Sequence, residues 1–256
     1  MQFSGMSEMN EGCIIVTGAS RGIGAAIAET LAREGFTVGC LSRSGDLPAR
    51  DITSAEIHAR FIAAACDVTD QASVKAAVDD VVRRADRPLV GLVNNAGLHR
   101  EGPSDSLPVS EFEAVMTANA TSVLIASQAA YPHLRETGEA TIVNIGSFFD
   151  KLGVKRNAAY CASKAAVGAI TRCVAVEWAS EGIRVHNVAP GYIATDLNRD
   201  SLASGPLSQF LAKRIPTGGP GVAEDVAQLV RLLFTLSGRF MTGETLYLDG
   251  GQGMAL

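Results

Sequence analysis

The hydrophobic positions of this chain fall into short continuous apolar runs, separated by longer stretches in which apolar residues recur every three or four positions. A short continuous run fits a strand buried on both faces, and the recurring pattern fits a helix with one apolar side. The runs Cys13–Thr17, Thr37–Leu41, Arg60–Cys66, Leu89–Val93, Ala140–Ile145, Arg184–Val188 and Thr245–Leu248 are predicted as strands. The helical pattern covers Gly22–Glu34, Ala72–Ala85, one long helix from Ser110 to Arg135 with Pro132 near its end, Ala158–Ser180, Leu202–Arg214 and Ala223–Leu236. Residues 44–59 are polar and irregular and give no helix signal. Strands that alternate with helices need crossover connections, and right-handed crossovers wind a parallel sheet with helices on both faces. No composition break or repeat divides the chain. The expected fold class is therefore α/β: a single doubly wound parallel sheet of about seven strands, one domain over residues 12–256, with residues 1–11 a ragged, disordered start.

Composition narrows the function. Hydrophobic residues make up 47% and charged residues 19%, enough apolar material for one sizeable core. The net charge of −5 leaves no basic footprint for nucleic acid. No apolar run reaches the roughly 18 residues that span a bilayer, so no membrane partner is expected. Residues 1–11 lack the basic and apolar regions of a signal peptide, so a cytoplasmic location is expected. The five cysteines (Cys13, Cys40, Cys66, Cys161, Cys173) are odd in number and form no CxxC pair, which reads as buried free thiols. His58, His99, His133 and His186 show no ligand spacing, so no metal site is expected.

The candidate chemistry sits where strands end. The first strand runs into Thr17-Gly18-Ala19-Ser20-Arg21-Gly22-Ile23-Gly24, and a helix follows at once. Glycines there permit a tight turn and close backbone approach to a pyrophosphate, and the helix start supplies free N–H groups. Tyr160 and Lys164 lie four apart on a predicted helix and share a face. A nearby ammonium stabilises a phenolate, which makes tyrosine a workable general acid/base. Ser147 ends the fifth strand, where open α/β sheets place ligands. Asn119 lies mid-way along the long helix, where its amide is expected to hold a water linking Lys164 to solvent. Phe148 and Phe149 follow Ser147, and with Tyr192 they are expected to border the substrate. Lys151, Lys155 and Arg156 lie between Ser147 and Tyr160, placed to greet an anionic substrate or simply solvated.

These motifs, with Asn94-Asn95-Ala96-Gly97, Tyr160-Cys161-Ala162-Ser163-Lys164, Pro190-Gly191 and Leu248-Asp249-Gly250-Gly251, resemble the short-chain dehydrogenase/reductase family in order from about residue 12 to residue 254. The resemblance implies a Rossmann fold and a catalytic tetrad of Asn119, Ser147, Tyr160 and Lys164. Carbonyl and alcohol would interconvert by hydride transfer: Tyr160 protonates the alkoxide, Ser147 stabilises it, and Lys164 binds the nicotinamide ribose and lowers the Tyr160 pKa. It implies cofactor contacts from Gly18, Ser20, Arg21, Gly22, Ile23 and Gly24 at the turn, and from Asp67 and Val68 at the adenine. Asn94, Ala96 and Gly97 would pack on the adenosine half, and Tyr160, Lys164, Pro190, Gly191, Ile193 and Thr195 would surround the nicotinamide. The second strand ends in Ser42-Arg43, with serine where an acidic residue would bind a ribose 2′-hydroxyl; Arg43 and Arg21 suit a 2′-phosphate, so NADP(H) is the expected cofactor.

The motifs resemble both 3-oxoacyl-carrier-protein reductases and sugar or small-ketone dehydrogenases, so the small-molecule substrate stays open. An NAD(H)-dependent sugar or alcohol dehydrogenase and a non-catalytic dinucleotide sensor or scaffold are the alternatives. Segment 196–215 is expected to be a lid, with Leu197, Leu202, Leu207, Phe210 and Leu211 facing either substrate or core. The resemblance also implies a homotetramer built on the two long helices and the apolar tail Gly253-Met254-Ala255-Leu256. Two positions depart from the pattern: His186 stands where asparagine is usual, and Gly219 replaces a common arginine.

Overall fold

The computed structural model describes residues 12–196, 198, 202 and 204–254. Residues 1–11, Leu197 and the tail residues Ala255 and Leu256, on which sequence expectations fell, lie outside them. The strands are β1 (Cys13–Thr17), β2 (Thr37–Ser42), β3 (Phe61–Ala65), β4 (Leu89–Asn94), β5 (Ala140–Ile145), β6 (Ile183–Pro190), β7 (Ile193–Ala194), β8 (Gly221–Val222) and β9 (Thr245–Leu248). The helices are α1 (Gly22–Glu34), α2 (Ala55–His58), α3 (Gln71–Ala85), α4 (Val109–Met116), α5 (Ser122–Thr137), α6 (Ala158–Trp178), α7 (Gly205–Arg214) and α8 (Ala223–Thr235).

Seven strands form one sheet in the order β3-β2-β1-β4-β5-β6-β9. Every neighbouring pair is parallel. Strand residues alternate between two cores. Ile14 and Val16 face one side, where Ile27 and Leu31 of α1 meet Val230 and Phe234 of α8. Cys13 and Ile15 face the other, with Val78 of α3, Leu134 of α5 and Val174 of α6. Covering both faces explains why the strands read as unbroken apolar runs. A buried polar ladder ties the middle of the sheet to the helices: Asn94 Nδ2 donates to Asn144 Oδ1 (2.8 Å) and Ser127 Oγ (3.3 Å), and Asn144 Nδ2 donates to Thr171 Oγ1 (2.9 Å).

Three features depart from the sequence expectation. The long helix runs without a break but is not regular: a π turn at Thr117–Thr121 sits inside it, between α4 and α5. Such a turn holds one extra residue and often marks a functional site, and it leaves no trace in hydrophobic periodicity. The polar stretch 44–59 contains the single turn α2, capped by Ser54 Oγ accepting from Ile57 N (3.4 Å). β7 and β8 make a separate two-residue pairing too short to register in the pattern. Cys13, Cys40 and Cys66 are buried as expected, whereas Cys161 is partly exposed and Cys173 is exposed.

His186 is fully buried in β6, with neither ring nitrogen hydrogen-bonded. Burial, reinforced by the positive charge of Arg184, brings its pKa down to about 4. The unfolded chain takes up this proton near pH 6.5. Unfolding therefore absorbs a proton between the two values, and stability falls as pH drops through that window. Urea unfolding at pH 7 and pH 4.5 is expected to show a smaller acid loss in His186→Asn than in the native protein, by about 2–3 kcal/mol. Equal losses would show that His186 does not set the acid sensitivity.

Candidate active site

The strand order reverses direction at β1, so the chain leaves β1 and β4 toward opposite faces and opens a crevice at their carboxyl ends. A cleft of about 1070 Å³ fills that crevice. It runs from Ser42, Arg43, Asp67 and Val68 along the glycine turn to Tyr160 and Lys164.

The turn itself is built for close approach. Gly18 (φ 65°) and Gly22 (φ 57°) adopt the left-handed conformation that favours glycine. A Cβ on Gly24 would lie 2.2 Å from Gly18 O. The start of α1 has no side-chain cap, so its first N–H groups face the cleft unclaimed by a side chain. Thr17 Oγ1 accepts from Asn95 N (3.0 Å) and Ala96 N (3.1 Å), and Asn95 Nδ2 donates to Thr17 O (3.0 Å) and Gly18 O (3.1 Å). These bonds lock the β1 and β4 turns together. Asp67 accepts from Thr69 N (2.9 Å) and Thr69 Oγ1 (2.7 Å), which holds its pKa below the usual carboxylate range, and Arg43 adds to the effect.

At the other end, β5 delivers Ser147 and α6 delivers Tyr160 and Lys164. Ser147 Oγ caps a short 3₁₀ turn by accepting from Phe149 N (3.3 Å). Burial pushes the Tyr160 pKa up, and the neighbouring Ser147 hydroxyl opposes that rise. Lys164 is buried, which brings its pKa down to about 8. Its Nζ donates to Ile145 O (2.7 Å) and sits 5.6 Å from the Tyr160 ring centroid. The direction for Tyr160 is therefore up, with burial its largest cause, and Lys164 is not among the groups that lower it.

Two expected site residues lie behind the cleft rather than in it. Asn94 belongs to the buried ladder under the sheet, and Asn95 reaches the turn in its place. Asn119, in the π turn, gives both amide N–H groups to protein, Leu98 O (2.9 Å) and Ser163 Oγ (2.9 Å), and accepts from Leu98 N (2.6 Å). Its amide pins the loop after β4 to α6 and has no N–H left for a relay water. Every other cofactor, catalytic and substrate residue expected from the sequence lines the cleft, including Ile23, Pro190, Gly191, Ile193, Thr195, Phe148, Phe149 and Tyr192. Leu202 and Leu207 line it, Leu211 packs behind it in a small core, and Phe210 points outward. Lys151 lies over the Tyr247 ring, 3.4 Å from its centroid, and none of Lys151, Lys155 and Arg156 lines the cleft. Sequence reasoning missed Glu101 and Asn157, loop residues with no periodic signal.

A family profile described as enoyl-(acyl carrier protein) reductase matches residues 18–252. The chain belongs to the short-chain dehydrogenase/reductase family. One relative, the inactive 2-(S)-hydroxypropyl-CoM dehydrogenase 2 of Xanthobacter autotrophicus, is 36% identical over 88% of this chain and 99% of its own. The 3-oxoacyl-(acyl-carrier-protein) reductase of Staphylococcus aureus is 35% identical over 94% of this chain and 97% of its own. A gluconate 5-dehydrogenase from Burkholderia cenocepacia, solved with NADP and tartrate, superposes with a TM-score of 0.85 at 31% identity, covering 96% of both chains. Members of this family use a nicotinamide dinucleotide, and the glycine cradle, the uncapped α1 start and the cleft volume fit one. Among the described residues no helix is long and apolar enough to cross a membrane.

A methyl group at Gly24 must push the turn open. Gly24→Ala is expected to weaken NADPH binding at least about tenfold, measured by fluorescence titration, because the backbone no longer reaches the pyrophosphate. Unchanged affinity would remove the turn from the cofactor site.

Proposed function

We propose that this short-chain dehydrogenase/reductase is an NADP(H)-dependent enzyme that interconverts a carbonyl and a secondary alcohol, with Tyr160 as general acid/base. The observation that carries the reading is the convergence of Tyr160, Ser147 and Lys164 at one end of a cleft whose other end fits a dinucleotide. An inactive protein stands among the relatives, so this geometry carries the reading, not family membership alone.

When bound, the nicotinamide supplies the hydride. The protein's part follows from its own groups. Burial keeps Tyr160 protonated at neutral pH, the form that donates to a developing alkoxide. Ser147 lines the cleft beside Tyr160, where its hydroxyl can orient the same oxygen. One donor of the Lys164 ammonium is held by Ile145 O; the others face the cleft for the ribose and the emerging phenolate.

NADP(H) is supported by the cleft end that carries Arg21, Ser42 and Arg43, with no carboxylate at position 42. Arginine offers a planar fork to a phosphate, and a serine does not repel one. At the substrate end Lys151, Lys155 and Arg156 are not part of the cleft lining and Glu101 is, which favours a small uncharged ketone or alcohol over an anionic substrate. Exposed Val176 on α6 and Leu124 on α5 support self-association through these helices, in line with the expected homotetramer.

Tyr160→Phe is expected to lower kcat for ketone reduction by about 10²–10⁴-fold and leave NADPH affinity nearly unchanged. Loss of binding together with activity would mean that Tyr160 holds the cofactor. Arg43→Glu is expected to reduce kcat/KM for NADPH at least about tenfold and spare NADH, since a carboxylate there repels the 2′-phosphate. Faster turnover of NADH by the native protein would overturn the NADP(H) reading.

A further inference from the structure

Around Tyr160 the cleft wall is aromatic. Phe149 lies edge-on to Tyr160 with centroids 6.0 Å apart, Phe148 stacks beside Phe149 at 4.8 Å, and Tyr192 meets both at 5.8 and 6.1 Å. The ring nearest Tyr160 is His99, whose centroid lies 4.6 Å from it at an interplanar angle of 64°. The hydride chemistry gives His99 no task.

The state of the His99 ring follows from its neighbour. Asn157 is 5% exposed, and its Nδ2 donates to Lys155 O (2.9 Å). That bond fixes which way the amide points and turns Oδ1 toward His99 Nε2, 2.6 Å away. An amide oxygen only accepts, so Nε2 carries the hydrogen. In the neutral ring Nδ1 is then a bare acceptor. Among the described residues nothing donates to it, and His99 keeps 48% of its side-chain surface open on the cleft wall beside Tyr160. The Glu101 carboxylate lies 4.0 Å from Nε2 and leaves this corner unfriendly to anions.

We propose that His99 selects the substrate, accepting through Nδ1 a hydrogen bond from a hydroxyl carried next to the reacting carbon of an uncharged aromatic or alicyclic hydroxy-ketone. The inference rests on the carbonyl-reduction reading and adds the substrate class. The aromatic wall takes the apolar body, Tyr160 and Ser147 take the reacting oxygen, and His99 reads the second oxygen. A substrate lacking that hydroxyl loses the bond and leaves Nδ1 dry.

The test is a matched pair, 2-hydroxyacetophenone and acetophenone, reduced with NADPH by the native protein, His99→Phe and His99→Asn. Phenylalanine keeps a ring edge against Tyr160 and removes both nitrogens; asparagine restores an acceptor near the place of Nδ1. The native protein is expected to favour the hydroxy-ketone by about tenfold in kcat/KM, the value of one hydrogen bond. His99→Phe should bring that ratio near one, and His99→Asn should recover part of the preference. His99→Ala repeats the comparison if the phenylalanine variant does not fold. No preference in the native protein, or an unchanged preference in His99→Phe, overturns the role of His99. Failure to reduce these and any other ketone, with NADPH still bound, overturns the carbonyl-reduction reading and this inference with it.

Discussion

The constraint on which everything else depends is the handedness of the crossover connection. A parallel strand pair can be joined only by a chain that leaves the sheet, and it returns right-handed. With β1 at the point where strand order reverses, the segments after β1 and β4 must part to opposite faces. The gap this forces is the cleft, and it exists before any side chain is chosen. The sequence then closes it from below. Thr17 and Asn95 bond the two diverging turns to each other, so the crevice has a rigid floor where the glycines need it.

Electrostatics divides the cleft into two ends. The end by the glycine turn carries exposed Arg21 and Arg43, two positive charges. The Tyr160 end is largely buried: Lys164 is buried with Ile145 O on its ammonium, and the rings of His99 and Phe149 flank the tyrosine. Such surroundings hold Tyr160 as a phenol and bring Lys164 down to about 8. Both shifts have the same cause, burial, which disfavours the charged form of each group.

What was legible in the sequence was whatever periodicity or backbone necessity writes there. The buried strands show as apolar runs, and Gly18, Gly22 and Gly24 announce a turn no other residue tolerates. Ser147, Tyr160 and Lys164 sit where a strand end and helix spacing permit a site, but the family resemblance, not the spacing, singled them out. The misses have equally physical reasons. A π turn inserts one residue without disturbing the apolar pattern, so the position of Asn119 was found but not its role: its amide is spent on Leu98 and Ser163. Asn94 and Asn95 are neighbours in sequence, and only strand direction decides that the first points into the sheet and the second into the cleft. The His99–Asn157 contact spans 58 positions between two loops, and nothing in local pattern foretells it.

The central claim is that a hydride crosses this cleft to a carbonyl carbon. The most direct measurement reduces a ketone with NADPH deuterated at the transferring C4 position and locates the label in the alcohol by NMR. The account predicts one deuterium on the carbinol carbon of each product molecule, with NADPH consumed in equal amount. A carbinol carbon carrying only protium while NADPH is consumed would contradict it.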